Sequence, residues 1–264
     1  MGGFLLSGGS MRELLEQVLA IAKDADRAIM AVYAREFDVT LKEDNSPLTE
    51  ADRAAHQVIR RGLEALSTTL PILSEEDIEG FSGVGNEGRY WLVDPLDGTK
   101  EFIKRNDEFT VNIALIENGV PILGVVTAPA LGTAYIAAGG MGAFRIDADG
   151  QRHVIQVAGK PSPGRAWRVL GSRSHASPAL SAWLETLGAY EIQPMGSSLK
   201  SCLIAEGKAD VYPRLGPTSL WDTAAAHAVV RYAGGRIETL EGQPLSYANP
   251  AETLNPSFVV WGYL

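Results

Sequence analysis

Apolar residues recur with a helical period over the first part of the chain. Leu14, Val18, Ile21, Ala25 and Ile29 follow a Ser10-x-x-Glu13 capping box, which predicts an amphipathic helix over residues 11–33. After the polar run Lys42-Glu43-Asp44-Asn45-Ser46-Pro47, Thr49 is a good N-cap for a second helix with Ala55, Val58, Ile59, Leu63 and Leu66 on one face. Pro71 ends it, and Ile72-Leu73 reads as a short buried strand delivering Glu75. From Tyr90 the period changes. Trp91-Leu92-Val93 predicts a strand ending at Asp94, and residues 110–116 and 120–127 flank Glu117-Asn118-Gly119, a hairpin signal. Further strands are expected over residues 133–138, 143–146 and 153–157.

The cluster Gly159-Lys160-Pro161-Ser162-Pro163-Gly164 reads as a domain seam. Beyond it, strands over 168–171, 210–212 and 236–239 alternate with helices over 178–187, 198–206 and 222–232. The expected organisation is a leader over 1–10, an α+β domain over 11–158 (a helix pair plus an antiparallel sheet) and an α/β domain over 159–264. Ligands belong at the strand ends of such a layer.

Composition narrows the function. The hydrophobic fraction of 45% supports a real core in a 264-residue chain, and a net charge of −9 argues against a nucleic-acid duplex or an anionic membrane as the main partner. The single cysteine, Cys202, excludes an internal disulfide framework and a cysteine-rich zinc site. Met1-Gly2-Gly3-Phe4-Leu5-Leu6-Ser7 is too short for a signal-peptide core, so a cytoplasmic location is expected, with peripheral attachment to the inner membrane left open. No apolar run approaches the roughly 20 residues of a membrane span.

Acids then dominate. They fall in Leu73-Ser74-Glu75-Glu76-Asp77, Asp94-Pro95-Leu96-Asp97-Gly98-Thr99 and Trp221-Asp222-Thr223-Ala224, each at a strand end or helix start. Oxygen donors gathered from separate segments suit hard divalent cations such as Mg²⁺. A pair of such ions can activate water and stabilise a leaving oxygen at phosphorus. Asp-Pro and Asp-Gly are also ordinary turn signals. Here they follow an apolar strand, and a turn at Pro95 would bring Asp94, the Leu96 carbonyl and Asp97 to one point.

The run Trp91-Leu92-Val93-Asp94-Pro95-Leu96-Asp97-Gly98-Thr99-Lys100-Glu101-Phe102-Ile103, with Glu75-Glu76 before it and Trp221-Asp222-Thr223-Ala224-Ala225 after it, resembles the inositol monophosphatase superfamily. The Asp-Gly-Thr-Lys-Glu-Phe continuation is similar to its bacterial 3′(2′),5′-bisphosphate nucleotidase branch. That resemblance implies a layered αβαβα sandwich and an Mg²⁺-dependent phosphatase carrying two or three ions. The implied ligands are Glu75, Asp94, Asp97, Asp222 and the Leu96 carbonyl, with Glu76 a lesser candidate.

By the same resemblance, Thr99 orients the attacking water and Asp44 is the acid paired with it. Gly98 and Thr99 contact the phosphate, and His175, Ser197, Ser198, Lys200 and Arg214 line the substrate pocket. Lys200 and Arg214 suit the second phosphate of a nucleoside bisphosphate. The implied reaction removes the 3′-phosphate from 3′-phosphoadenosine 5′-phosphate, giving AMP, with inhibition by lithium. Inositol phosphates and fructose 1,6-bisphosphate are the alternative substrates, and a non-catalytic nucleotide or metal sensor is the alternative of another class. The oligomeric state is left open.

Overall fold

The computed structural model describes residues 10–41, 47–171 and 177–264. Ser10 and Glu13 exchange capping bonds at the start of α1 (Met11–Tyr33), so Ser10 is the N-cap of this helix. A short antiparallel pair, β1 (Val39–Leu41) and β2 (Pro47–Thr49), leads into α2 (Glu50–Glu64). Next come β3 (Ile72–Ser74), β4 (Arg89–Asp97), the single-turn α3 (Thr99–Lys104), β5 (Thr110–Glu117) and β6 (Val120–Ala128). The strands β7 (Thr133–Ala138), β8 (Gly142–Ile146) and β9 (Arg152–Val154) complete a seven-stranded sheet in chain order. Only its first pair, β3 with β4, is parallel. The predicted hairpin is present: Asn118 (φ 51°) and Gly119 (φ 78°) both take the left-handed conformation that a two-residue turn demands.

The rest of the chain builds a second sheet from β10 (Trp167–Gly171), β11 (Tyr190–Pro194), β12 (Val211–Arg214), β13 (Arg236–Thr239) and β14 (Phe258–Trp261), ordered β11-β10-β12-β14-β13. Its helices are α4 (Pro178–Glu185), α5 (Leu199–Ala205) and α6 (Ala224–Tyr232).

Both faces of the first sheet are covered, which explains why its strands read as continuous apolar runs. Trp91, Val93, Ile113, Leu115 and Val125 meet α1 and α2 on one face. Leu92, Ala114, Ile116 and Val126 meet α5 and α6 on the other, in a core that also takes in Tyr212, Phe258 and Val260 of the second sheet. Val169, Leu184, Val211 and Val259 pack α4 onto the far side. The order is therefore helices, sheet, helices, sheet, helix, the αβαβα sandwich expected. The strands divide between the sheets at the Pro/Gly-rich seam, while the central apolar core is shared across it. Among the described residues no helix is long and apolar enough to cross a membrane.

Candidate active site

Parallel pairing of β3 with β4 sets Ser74 beside Val93, and the Glu75 N–H continues the ladder to the Val93 carbonyl at 3.1 Å. This lays Glu75 next to Asp94. In a regular strand Asp94 and Asp97, three residues apart, would face opposite sides. The structure corrects the expected turn at Pro95. Asp94 pairs with Asn112 and Asp97 with Thr110, so β4 spends three steps where β5 spends two, and the extra residue is a β-bulge. The Leu96 N–H donates to Asp94 Oδ1 at 3.0 Å and fixes the kink. Asp222 closes a 3₁₀ turn (Leu220–Asp222) just ahead of α6, with Oδ2 accepting from the Ser219 N–H at 2.9 Å.

Glu75, Asp94 and Asp222 each present a carboxylate oxygen within 4.8 Å of the others. Asp97 lies beside them, its Oδ2 accepting from the Ser198 N–H at 2.6 Å and lying 2.9 Å from the Ser198 hydroxyl. Burial, then the charges of Glu75, Asp97 and Asp222, push the Asp94 carboxyl well above the usual carboxylate range. Burial, then Asp97 and Glu75, push Asp222 up to about 8. A cation among them would favour the ionised forms of Asp94 and Asp222. An all-oxygen donor set of this kind, buried and mutually repelling, fits a hard divalent ion.

Thr99 opens α3 behind Gly98, whose φ of 91° excludes a side chain; an added Cβ would also press the Glu108 carbonyl at 3.2 Å. The Thr99 hydroxyl lies 3.2 Å from Asp52 Oδ1 and 3.3 Å from the Leu96 carbonyl. Asp52 is buried and is itself fixed, accepting from the Thr49 N–H and hydroxyl, each at 2.7 Å. Sequence reasoning passed over Asp52; the signal was Thr49-x-x-Asp52, a second capping box that ties this acid to the start of α2. The expectations on Asp44 and His175 fall outside the described residues.

A cleft beside the acids is lined by Gly98, Ser197, Ser198, Lys200, Arg214 and Asp222, among others. Lys200 is buried, with Nζ donating to the Ser197 carbonyl at 2.8 Å and lying 5.2 Å above the Tyr212 ring. Burial pushes its amine down, and the Asp97 charge opposes this. Arg214 donates from Nη2 to the Pro217 carbonyl at 2.7 Å, while its buried Nε has no partner among the described residues. The Ser198 hydroxyl is engaged with Asp97 and the Asp222 carbonyl, a setting that the sequence does not foretell. Cys202 is buried in the core, its thiol pushed up by burial.

The family model for the inositol monophosphatase family matches residues 10–258. The chain belongs to this family. Among its relatives, the 3′(2′),5′-bisphosphate nucleotidase CysQ of Escherichia coli O157:H7 is 52% identical over 249 residues, spanning 94% of this chain and 99% of that protein. The CysQ of Haemophilus influenzae is 38% identical over 94% of this chain and 93% of its own length. The crystal structure of CysQ from Bacteroides thetaiotaomicron, 37% identical, superposes with a TM-score of 0.79 over 95% of this chain and 97% of that one. The bulged Asp94–Asp97 segment, the acid cluster and the neighbouring cleft therefore belong to an inositol monophosphatase-family fold.

Proposed function

We propose that the chain is a 3′(2′),5′-bisphosphate nucleotidase that hydrolyses the 3′-phosphate of 3′-phosphoadenosine 5′-phosphate to AMP and phosphate, using two or three Mg²⁺ ions. The observation that carries this reading is the convergence of Glu75, Asp94 and Asp222, with Asp97 alongside, next to a cleft that Asp97, Asp222, Lys200 and Arg214 line. Identity of 52% to CysQ of Escherichia coli O157:H7 over nearly the full length of both chains supports the substrate class.

The carboxylates and the Leu96 carbonyl would hold the ions, whose charge would offset that developing on the phosphoryl oxygens and leaving group. The remaining chemistry belongs to side chains. Asp52, pinned by Thr49, takes the Thr99 hydroxyl hydrogen, which leaves the lone pairs of Thr99 Oγ1 to accept from the attacking water. The water is thereby aimed and made more nucleophilic. Backbone N–H groups of Gly98 and Thr99 face the scissile phosphate. Lys200 and Arg214 supply positive charge for the phosphate that is not cleaved, with the Arg214 Nε–H, unpartnered among the described residues, available as a donor. Attack is direct; the lone cysteine is buried away from solvent and offers no nucleophile.

The test is phosphate release from 3′-phosphoadenosine 5′-phosphate beside inositol 1-phosphate and fructose 1,6-bisphosphate, with Mg²⁺ present and chelated. Mg²⁺-dependent release from the nucleotide, at least tenfold faster than from the other two, is expected. Preference for either of the others would overturn the substrate, and no release from any would return the site to a binding role.

A further inference from the structure

The two halves of the acid cluster are joined through one small side chain. Ser198 immediately precedes α5 and is 5% exposed. Its N–H donates to Asp97 Oδ2 at 2.6 Å, and its hydroxyl lies 2.9 Å from the same oxygen and 2.7 Å from the backbone carbonyl of Asp222. Asn112, on β5, donates from Nδ2 to the Ser198 hydroxyl oxygen at 2.9 Å and lies 3.4 Å from Asp97 Oδ2. A hydroxyl has one hydrogen, so accepting from Asn112 directs that hydrogen toward Asp97 and the Asp222 carbonyl. Asp97 comes from the first sheet and Asp222 from the turn before α6. A single oxygen thus touches one carboxylate and the backbone of the other.

The surroundings are built to keep it there. Asn112 is buried and its Oδ1 has no partner among the described residues; the opposite amide orientation would aim that oxygen at the Asp97 carboxylate. Leaving an acceptor unpaired is the lesser cost beside two facing oxygens. On the other side, Ser197 holds the left-handed conformation at φ 47°, unusual outside glycine, and its carbonyl is clamped by Lys200 Nζ at 2.8 Å. That turn presents the Ser198 N–H to Asp97.

We infer that Ser198, oriented by Asn112, is a positioning residue that sets the separation of Asp97 and Asp222 across the two halves of the chain, and is not a substrate contact. The inference rests on the reading of the acids as a divalent-ion site. Hydrogen-bonded neighbours of metal ligands typically change ion affinity by about 10–100-fold when removed.

The experiment measures Mn²⁺ binding by calorimetry without substrate, and kcat, KM and the Mg²⁺ concentration for half-maximal rate with it. Ser198→Ala should weaken Mn²⁺ binding about tenfold and raise the Mg²⁺ requirement similarly. The nucleotide KM at saturating Mg²⁺ should change less than about twofold, since substrate contacts remain. Ser198→Thr, which keeps the hydroxyl, should recover most of the ion affinity. Asn112→Ala, which spares the serine but frees it, should show a smaller loss in the same two quantities and serves if Ser198→Ala folds poorly. A tenfold rise in nucleotide KM with Mn²⁺ binding unchanged would overturn the inference and make Ser198 a substrate contact. Wild-type protein binding no Mn²⁺ would overturn the ion site and this inference together; wild-type binding left intact by both alanine variants would overturn this inference alone.

Discussion

Asp52 and Thr99 make the catalytic case at the scale of single residues. Asp52 caps α2 through Thr49 with one oxygen and receives the Thr99 hydroxyl with the other, so the chemical duty proposed for it sits beside a structural one. The duties separate by mutation. Thr99→Ala removes the hydroxyl proposed to aim the water but leaves the Thr49–Asp52 cap in place, and should lower kcat by about 10²–10⁴-fold with a smaller loss of stability than Asp52→Asn. Asp52→Asn should lower kcat comparably and also cost about 1 kcal/mol of stability, because one amide oxygen cannot accept from both Thr49 and Thr99. Steady-state kinetics beside urea denaturation checks both. Asp44→Asn is the control, and a kcat loss matching that of Asp52→Asn would give the pairing role to Asp44. The sequence made Asp94, Asp97 and Asp222 legible because they follow apolar runs and turn residues. It did not separate Asp52 from Asp44, since both lie in one acidic stretch; the cap at Thr49 is what turns the Asp52 carboxylate back toward Thr99.

At the scale of elements, the position of α6 governs where Asp222 lies, and Gly124 governs α6. A Cβ added to Gly124 on β6 would sit 2.2 Å from the Ala225 carbonyl oxygen and 2.7 Å from the Ala228 Cβ, so helix and sheet meet backbone to backbone there. Gly124→Ala must push α6 outward. The expected cost is about 1–3 kcal/mol in urea denaturation. Because α6 starts two residues after Asp222, the Mg²⁺ requirement should rise as well; unchanged stability and Mg²⁺ dependence would show that α6 does not set the acid. Helix 1, helix 2 and the Asn118-Gly119 hairpin were readable from period and turn chemistry. β1, β2, α3, β11 and β14 were not. β11 is an exposed edge strand without a buried face to impose alternation, and β14 is a short apolar run in which all of Phe258, Val259 and Val260 are buried, a pattern that period alone does not assign. The bulge at Asp94–Asp97 was read as a turn because Pro95 and Gly98 mimic one; the partner register of β5, invisible in a single chain, makes it a strand irregularity instead.

For the whole molecule, the sequence shows the seam but not the packing across it. Pro and Gly residues mark where the strands change sheets, yet α5 and α6 fold back against the first sheet and merge both halves into one apolar core. The acid cluster draws on both halves as well, which makes ion binding and global stability one problem. Without a cation, burial and mutual repulsion raise Asp94 and Asp222, so at pH 8 the folded state must either bury their charges or hold protons that the unfolded chain would release to water, and either costs stability. A bound divalent ion reverses the sign of that interaction. Mg²⁺ at about 100 times its dissociation constant should stabilise the fold by about 2.7 kcal/mol. For a chain of this size that corresponds to a rise in melting temperature of roughly 5–10 °C over protein in chelator. Asp94→Asn makes the opposing case: it removes one buried charge and one ligand together. In chelator at pH 8 this variant should melt above wild type, and Mg²⁺ should add almost nothing to it. Scanning calorimetry of both proteins, with Mg²⁺ and with chelator, gives the four values required. A wild type insensitive to Mg²⁺ would remove the ion site, and a variant melting below wild type in chelator would show that the clustered acids are not in conflict within the folded chain.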